Sequence, residues 1–104
     1  MKTTINMQKL VGEFAENKDI AKKTRIEKIM PALSKGHEVI LNFHGVNGAT
    51  QSFIHALISE PIRELKEVAF DNLAYKHTND DIREIISIVY RYMQESLDGN
   101  DRNE

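Results

Sequence analysis

Apolar and polar positions along the chain alternate in two different periods, and the switches between them predict three strands and three helices in turn. Residues 2–6, rich in β-formers around Ile5, predict a first strand. From 7 to 16, Leu10, Val11 and Phe14 fit either a short helix or a packed loop, and Gly12 interrupts them. Asn17 is a good helix N-cap with Asp19 in the turn that follows. Ile26, Ile29, Met30 and Leu33 then recur at helical spacing. Pro31 lies inside that stripe, where its missing donor and its ring predict a kink or a break. Lys35-Gly36 predicts the stop, with Gly36 just past the helix end.

Glu38 to Phe43 forms a short apolar run bounded by glycines, the pattern of a central strand covered on both faces. His44-Gly45-Val46-Asn47-Gly48-Ala49 predicts a tight loop. A helix then opens, capped by Thr50 or by Ser52. One half of its wheel carries Phe53, Ile54, Leu57, Ile58, Ile62 and Leu65, and the other Ser52, Ala56, Ser59 and Arg63. Pro61 predicts a bend or division, since Glu60 before it is pushed from helical angles. Residues 67–71 read as a connection, or as an extension of the next strand through Val68-Ala69-Phe70. Asn72 to His77 predicts that third strand. Thr78, with Asp81 three residues on, approximates a capping box for a last helix whose stripe is Ile82, Ile85, Ile86, Val89 and Met93. The order β-α-β-α-β-α predicts an α/β fold, a small and mostly parallel sheet with helices packed on it. Residues 1–97 read as one domain and 98–104 as a flexible polar tail.

The bulk numbers narrow the function without naming it. A chain of 104 residues suits one domain and is small for a deep cofactor cavity. Its net charge of −2 lacks the basic stripe expected of a nucleic-acid binder. Lys22, Lys23 and Lys28 are offset by Asp19 and Glu27 and have no interleaved aromatics. With no cysteine, disulfides, thiol chemistry and cysteine-based zinc sites are excluded. The start lacks the apolar run of a signal peptide, and no apolar stretch is long enough to span a bilayer. These features lead us to expect a cytoplasmic protein.

In a parallel sheet, ligand-binding loops lie beyond the carboxyl ends of the strands. The loop at 44–52 has that place and delivers a helix N-terminus. It is not a P-loop, for no lysine follows the second glycine. Nor is it a nucleophile elbow, since Gln51 and Phe53 flank Ser52 with no glycine two residues away. Small side chains at Ser52, Ala56 and Ser59 predict a surface that another backbone can approach closely. Ile88 and Tyr92 widen the apolar stripe of the last helix and mark a candidate homodimer surface. His44, His55 and His77 fall near one edge of the predicted sheet, but no two histidines have short metal-ligand spacing, so neither metal nor cofactor is expected. A hydrolase built on Ser52 with His44 or His77, or a metal-dependent enzyme, is the alternative. It needs an orienting acid and an oxyanion hole that nothing in the pattern aligns.

Glu38-Val-Ile-Leu-Asn-Phe-His-Gly-Val46, followed by Ala49-Thr-Gln-Ser-Phe-Ile-His-Ala-Leu-Ile58, resembles the central motif of the prokaryotic STAS-like family of unknown function. That motif is a strand ending Leu-Asp-Phe-x-Gly-Val and then a Ser-Phe pair opening a helix. Arg25 and Met30-Pro31-Ala32-Leu33 are similar to its first helix, and the likeness extends over most of 17–95. The resemblance implies a fold like that of STAS domains, which include anti-sigma factor antagonists. Those proteins bind a histidine-kinase-like ATPase and are switched by phosphorylation of a serine at the start of this helix, here Ser52, with Thr50 beside it. Thr50 stands where the antagonists have an acid, Phe53 where they have glycine, and Asn42 where the family has aspartate. The resemblance thus implies a non-enzymatic regulatory or adaptor domain that docks a protein through 47–63, on Asn47, Thr50, Gln51, Ser52, His55, Ala56, Ser59 and Arg63. A component of a prokaryotic defence or conflict module is a further alternative.

Overall fold

A computed structural model describes the backbone of residues 1–102 and the side chains of residues 1–95. Strand β1 (Lys2–Asn6) is followed by a one-turn helix α1 (Met7–Val11) and a short strand β2 (Phe14–Ala15). The ambiguous stretch 7–16 is therefore mostly structured. The Asn6 side chain caps α1 by accepting from the Lys9 amide.

The first long helical stretch has three parts: α2 (Lys18–Thr24), a π-helical turn (Arg25–Ile29) and α3 (Met30–Ser34). Asn17 caps it as expected, its Oδ1 accepting from the amides of Asp19 and Ile20. Pro31 does not end the helical run. The wider turn just before it, in which the Met30 amide reaches back to the Arg25 carbonyl, accommodates the proline at the start of α3. Gly36 ends the helix with φ +79°. Its amide reaches the Leu33 carbonyl and the His37 amide reaches that of Ala32, which satisfies two orphan carbonyls.

Strand β3 (Glu38–Asn42) is central in a parallel sheet of order β1-β3-β5, where β5 is Leu73–Lys76. The pairing register aligns Thr3, Val39 and Leu73, and then Ile5, Leu41 and Tyr75. The apolar members of these rows form the sheet side of the core. The alternate rows hold Lys2 and Glu38, then Thr4, Ile40 and Ala74, then Asn6, Asn42 and Lys76. Ile40 is buried but stands outside the core cluster. Burial of Val39, Ile40 and Leu41 covers β3 on both faces as expected, although the core cluster itself lies on one face. A second pair of strands, β2 with β4 (Gly48–Ala49), is also parallel.

Helix α4 (Gln51–Leu65) packs between α2 and α6 (Asp80–Arg102). Its apolar half is as expected, with Phe53, Ile54, Leu57, Ile58 and Ile62 buried. The division expected at Pro61 does not occur. Pro61 and its neighbour Ile62 are both buried within the continuous helix. Residues 67–72 form a separate helix α5 (Glu67–Asn72) rather than a connection or a strand extension. Lys66, with φ 48°, turns the chain between the two helices, and burial of Ala69 anchors the second.

Thr78 does not cap α6. Asn79 does, its Oδ1 accepting from the Ile82 amide at 2.9 Å. Ile82, Ile86, Val89 and Met93 are buried, as the stripe predicts. The tail expected at 98–104 falls on residues whose side chains, and at 103–104 the backbone also, lie outside the described residues. Among the described residues no helix is long and apolar enough to cross a membrane.

Candidate functional site

The loop between β3 and α4 is fastened from two sides. Residues Glu13 and Ala15 accept from the amides of Asn47 (2.7 Å) and Thr50 (2.9 Å). From the other side, the Asn79 side chain donates to the Asn47 carbonyl at 2.7 Å. Asn47 thus belongs to the scaffold of the loop through its main chain, although its side chain is exposed. Gly45 makes the turn with φ +86°, and a β-carbon there would press on the Gln8 side chain.

Thr50 is the N-cap of α4, its Oγ1 accepting from the Phe53 amide at 3.0 Å. Ser52 is left exposed on the first turn, and Phe53 turns inward and is fully buried. The hydroxyl of Thr50 is therefore committed to the helix, and that of Ser52 is not.

A groove of about 680 Å³ opens beside this helix start. It is lined by Gln51, Ser52, His55 and Ala56 of α4, by Lys18 at the start of α2, and by Val89 and Tyr92 of α6. Tyr92 is 61% exposed and meets the His55 ring edge-on, at 6.2 Å between centroids. Among the described residues the lining combines one cation, amide, hydroxyl and imidazole groups and an apolar wall, with no carboxylate. Four residues proposed from the sequence meet here: Gln51, Ser52, His55 and Ala56.

The other four are placed elsewhere. Ser59 is only 5% exposed, so it is out of reach of a partner on the folded chain. The close approach that the small side chains permit is made by the chain's own helices: α2 and the π-turn pack on α4, and Arg25 donates from Nη1 to the Ala56 carbonyl at 2.9 Å. Arg63 is exposed near the far end of α4, 3.8 Å from Glu64. Asn47 and Thr50 support the loop and the helix start rather than line the groove. Lys18 and Val89 were not among the expected site residues. Tyr92 was expected at a dimer edge, and Ile88 beside it is half-buried.

The histidines separate. His44 and His77 pair with each other at 5.4 Å between ring centroids, while His55 sits in the groove with Ser52. The Ser52–His44 and Ser52–His77 pairings are thereby disfavoured, and among the described residues no acid lines the groove to orient His55. Among the described residues no group of three or more His, Cys, Asp or Glu side chains could hold a metal ion.

Between β5 and α6, the hydroxyls of Tyr75 and Tyr90 join at 2.8 Å, and Phe70 packs on Tyr90. Burial, then the neighbouring Tyr90, holds the Tyr75 phenol well above its ordinary range. Burial also raises Tyr90, against a lowering by the bond from Tyr75.

A family model described as a STAS-like domain of unknown function (DUF4325) matches residues 21–83. The match runs from α2 through β3, the groove-forming start of α4 and β5 to the cap of α6. No curated protein matches the chain. No solved structure matches it either.

Proposed function

The chain belongs to the STAS-like family of unknown function, and from that premise we propose that it is a regulatory or adaptor domain that seats a protein partner in the groove at the start of α4. The observation that carries this reading is the groove itself. It joins three helices, and an exposed aromatic, Tyr92, stands beside hydrogen-bonding groups from Gln51, Ser52 and His55. An amphipathic aromatic side chain next to mixed polar groups is the composition that anchors protein contacts. The residues committed to docking are Gln51, Ser52, His55, Ala56, Val89 and Tyr92. The resemblance to anti-sigma factor antagonists makes a histidine-kinase-like ATPase the first partner to test.

Capture of partners from the native host by the tagged chain is the experiment. Ser52→Arg and Tyr92→Glu should abolish recovery of a specific partner while leaving the fold intact by circular dichroism. Arg63→Glu, at the far end of α4, should not. Equal recovery by all three variants would overturn the proposal.

A phosphoryl switch at Ser52 is the second reading, favoured by one contrast. Ser52 is exposed at a helix N-terminus, where negative charge is stabilised, whereas the neighbouring Thr50 hydroxyl already caps the helix. Intact-mass measurement after incubation with the candidate kinase should give a phosphoryl increment that Ser52→Ala removes. An unchanged mass, or an increment that persists in Ser52→Ala, would eliminate Ser52 as the acceptor.

A further inference from the structure

The geometry points to a two-histidine site for a zinc-like divalent ion, formed by His44 and His77 at the carboxyl edge of the sheet. His44 lies two residues past β3, and His77 directly follows β5. These strands are neighbours, paired in parallel, and the Phe43 amide donates to the Lys76 carbonyl at 2.9 Å, so the pairing continues to the sheet edge. Both histidines are exposed.

Two features define the geometry of this pair. The first is backbone conformation. His77 has φ +57°, the left-handed region that a non-glycine residue occupies at a cost. The same end of the sheet holds His44 in place, for its amide donates to the Asn42 Oδ1 at 3.0 Å. The second feature is spacing. A zinc–nitrogen bond of about 2.0–2.1 Å puts each imidazole centre roughly 3.2 Å from the ion, so two imidazoles at a tetrahedral angle have centres about 5.2 Å apart. The observed separation is 5.4 Å, with the rings inclined at 76°. At the right angle of an octahedral site the same arithmetic gives about 4.5 Å, which fits less well.

Imidazole selects the class of ion. Zinc, copper and nickel take nitrogen ligands, whereas magnesium and calcium require oxygen. Two protein ligands leave two tetrahedral positions for outside donors, either water or a carboxylate or imidazole of a bound molecule. A catalytic zinc normally has three protein ligands. This arrangement therefore suits an ion held reversibly and completed from outside. The site lies apart from the groove and does not depend on the proposed docking function.

Calorimetric titration of the full chain with zinc chloride in a non-coordinating buffer tests it. The expected result is one ion per chain for the wild type, lost in His44→Gln and in His77→Asn, and retained in His37→Gln and His55→Gln. Asparagine is chosen at 77 because it tolerates left-handed angles, and circular dichroism checks that each variant is folded. In the histidine nitrogen NMR spectrum, zinc should shift the His44 and His77 resonances together. Absence of binding in the wild type, or binding that survives both substitutions, would overturn the assignment.

Discussion

Arg25 donates from Nη1 to the main-chain carbonyl of Ala56 at 2.9 Å, so a side chain of the first helical stretch fastens the backbone of the helix that forms the groove. Its Nη2 lies 3.4 Å from Glu60, one turn further along, and its side chain is only 14% exposed. The anchoring residue sits in the π-helical turn, and its Nε is buried without a protein partner. An ionic donor to a part-buried carbonyl contributes about 1.5–3 kcal/mol. Arg25→Ala should therefore lower unfolding stability by that amount, measured by urea denaturation. Arg25→Lys should recover only part of it, because an ammonium cannot reproduce the planar fork. Glu60→Gln should cost less than about 1 kcal/mol, since the Glu60 carboxylate is substantially exposed.

The tyrosine pair gives stability a pH dependence with a defined sign. Both phenols are raised above the ordinary value of 10.0, Tyr75 the more strongly, with burial the largest cause for each. The folded state thus holds these protons more tightly than the unfolded chain. Their contribution is fully present below about pH 10 and declines as pH rises through the folded-state values. Thermal unfolding of the wild type should weaken above pH 10 more steeply than that of a Tyr75→Phe/Tyr90→Phe double variant. At neutral pH, Tyr90→Phe alone should cost about 1–2 kcal/mol, because it strands the Tyr75 hydroxyl. The double variant should be close to neutral, because it removes both partners of the bond.

Local patterns made much of this fold legible. The strand at 38–42 follows from its apolar run between glycines and the buried stripes of α4 and α6 from their periodicity, and Asn17, Gly36 and Thr50 act at helix ends as their types dictate. The errors arose where distant packing outweighed local preference. Val68-Ala69-Phe70 has a strand-like composition, yet burial of Ala69 and the turn at Lys66 make it helical. Thr78 and Asn79 are adjacent capping types, and the bond from Asn79 to the Asn47 carbonyl accompanies the choice of the second. Half of the groove could be read from the α4 sequence. Lys18, Val89 and Tyr92 could not, because only the packing of α2 and α6 on either side of α4 brings them there.

Two glycines near the site should differ in what they tolerate. At Gly45, φ is +86° and an added β-carbon would come within 2.7 Å of the Gln8 side chain. Gly45→Ala meets both strain and crowding, and should cost at least about 1–2 kcal/mol. At Gly48 the contact is with the Phe14 ring at 2.8 Å, and that ring is nearly half exposed and can move aside. Gly48→Ala should be the milder change, and denaturation midpoints of the two variants compared side by side would check the order.

The two hydroxyls at the start of α4 should separate structure from recognition. Thr50→Ala removes the acceptor for the Phe53 amide, and should cost about 1 kcal/mol of stability. Ser52→Ala removes an exposed side chain that makes no hydrogen bond among the described residues, and should leave the melting temperature nearly unchanged. Ser52→Asp places a carboxylate in the first turn of the helix, where the free amides favour it, and should raise stability by about 0.3–1 kcal/mol at low salt and less at high salt. Differential scanning calorimetry of the three variants at two ionic strengths measures this. Because the Ser52 substitutions leave the scaffold intact, any loss of partner binding that they cause belongs to the groove, whereas a loss in Thr50→Ala must first be corrected for the weakened helix start.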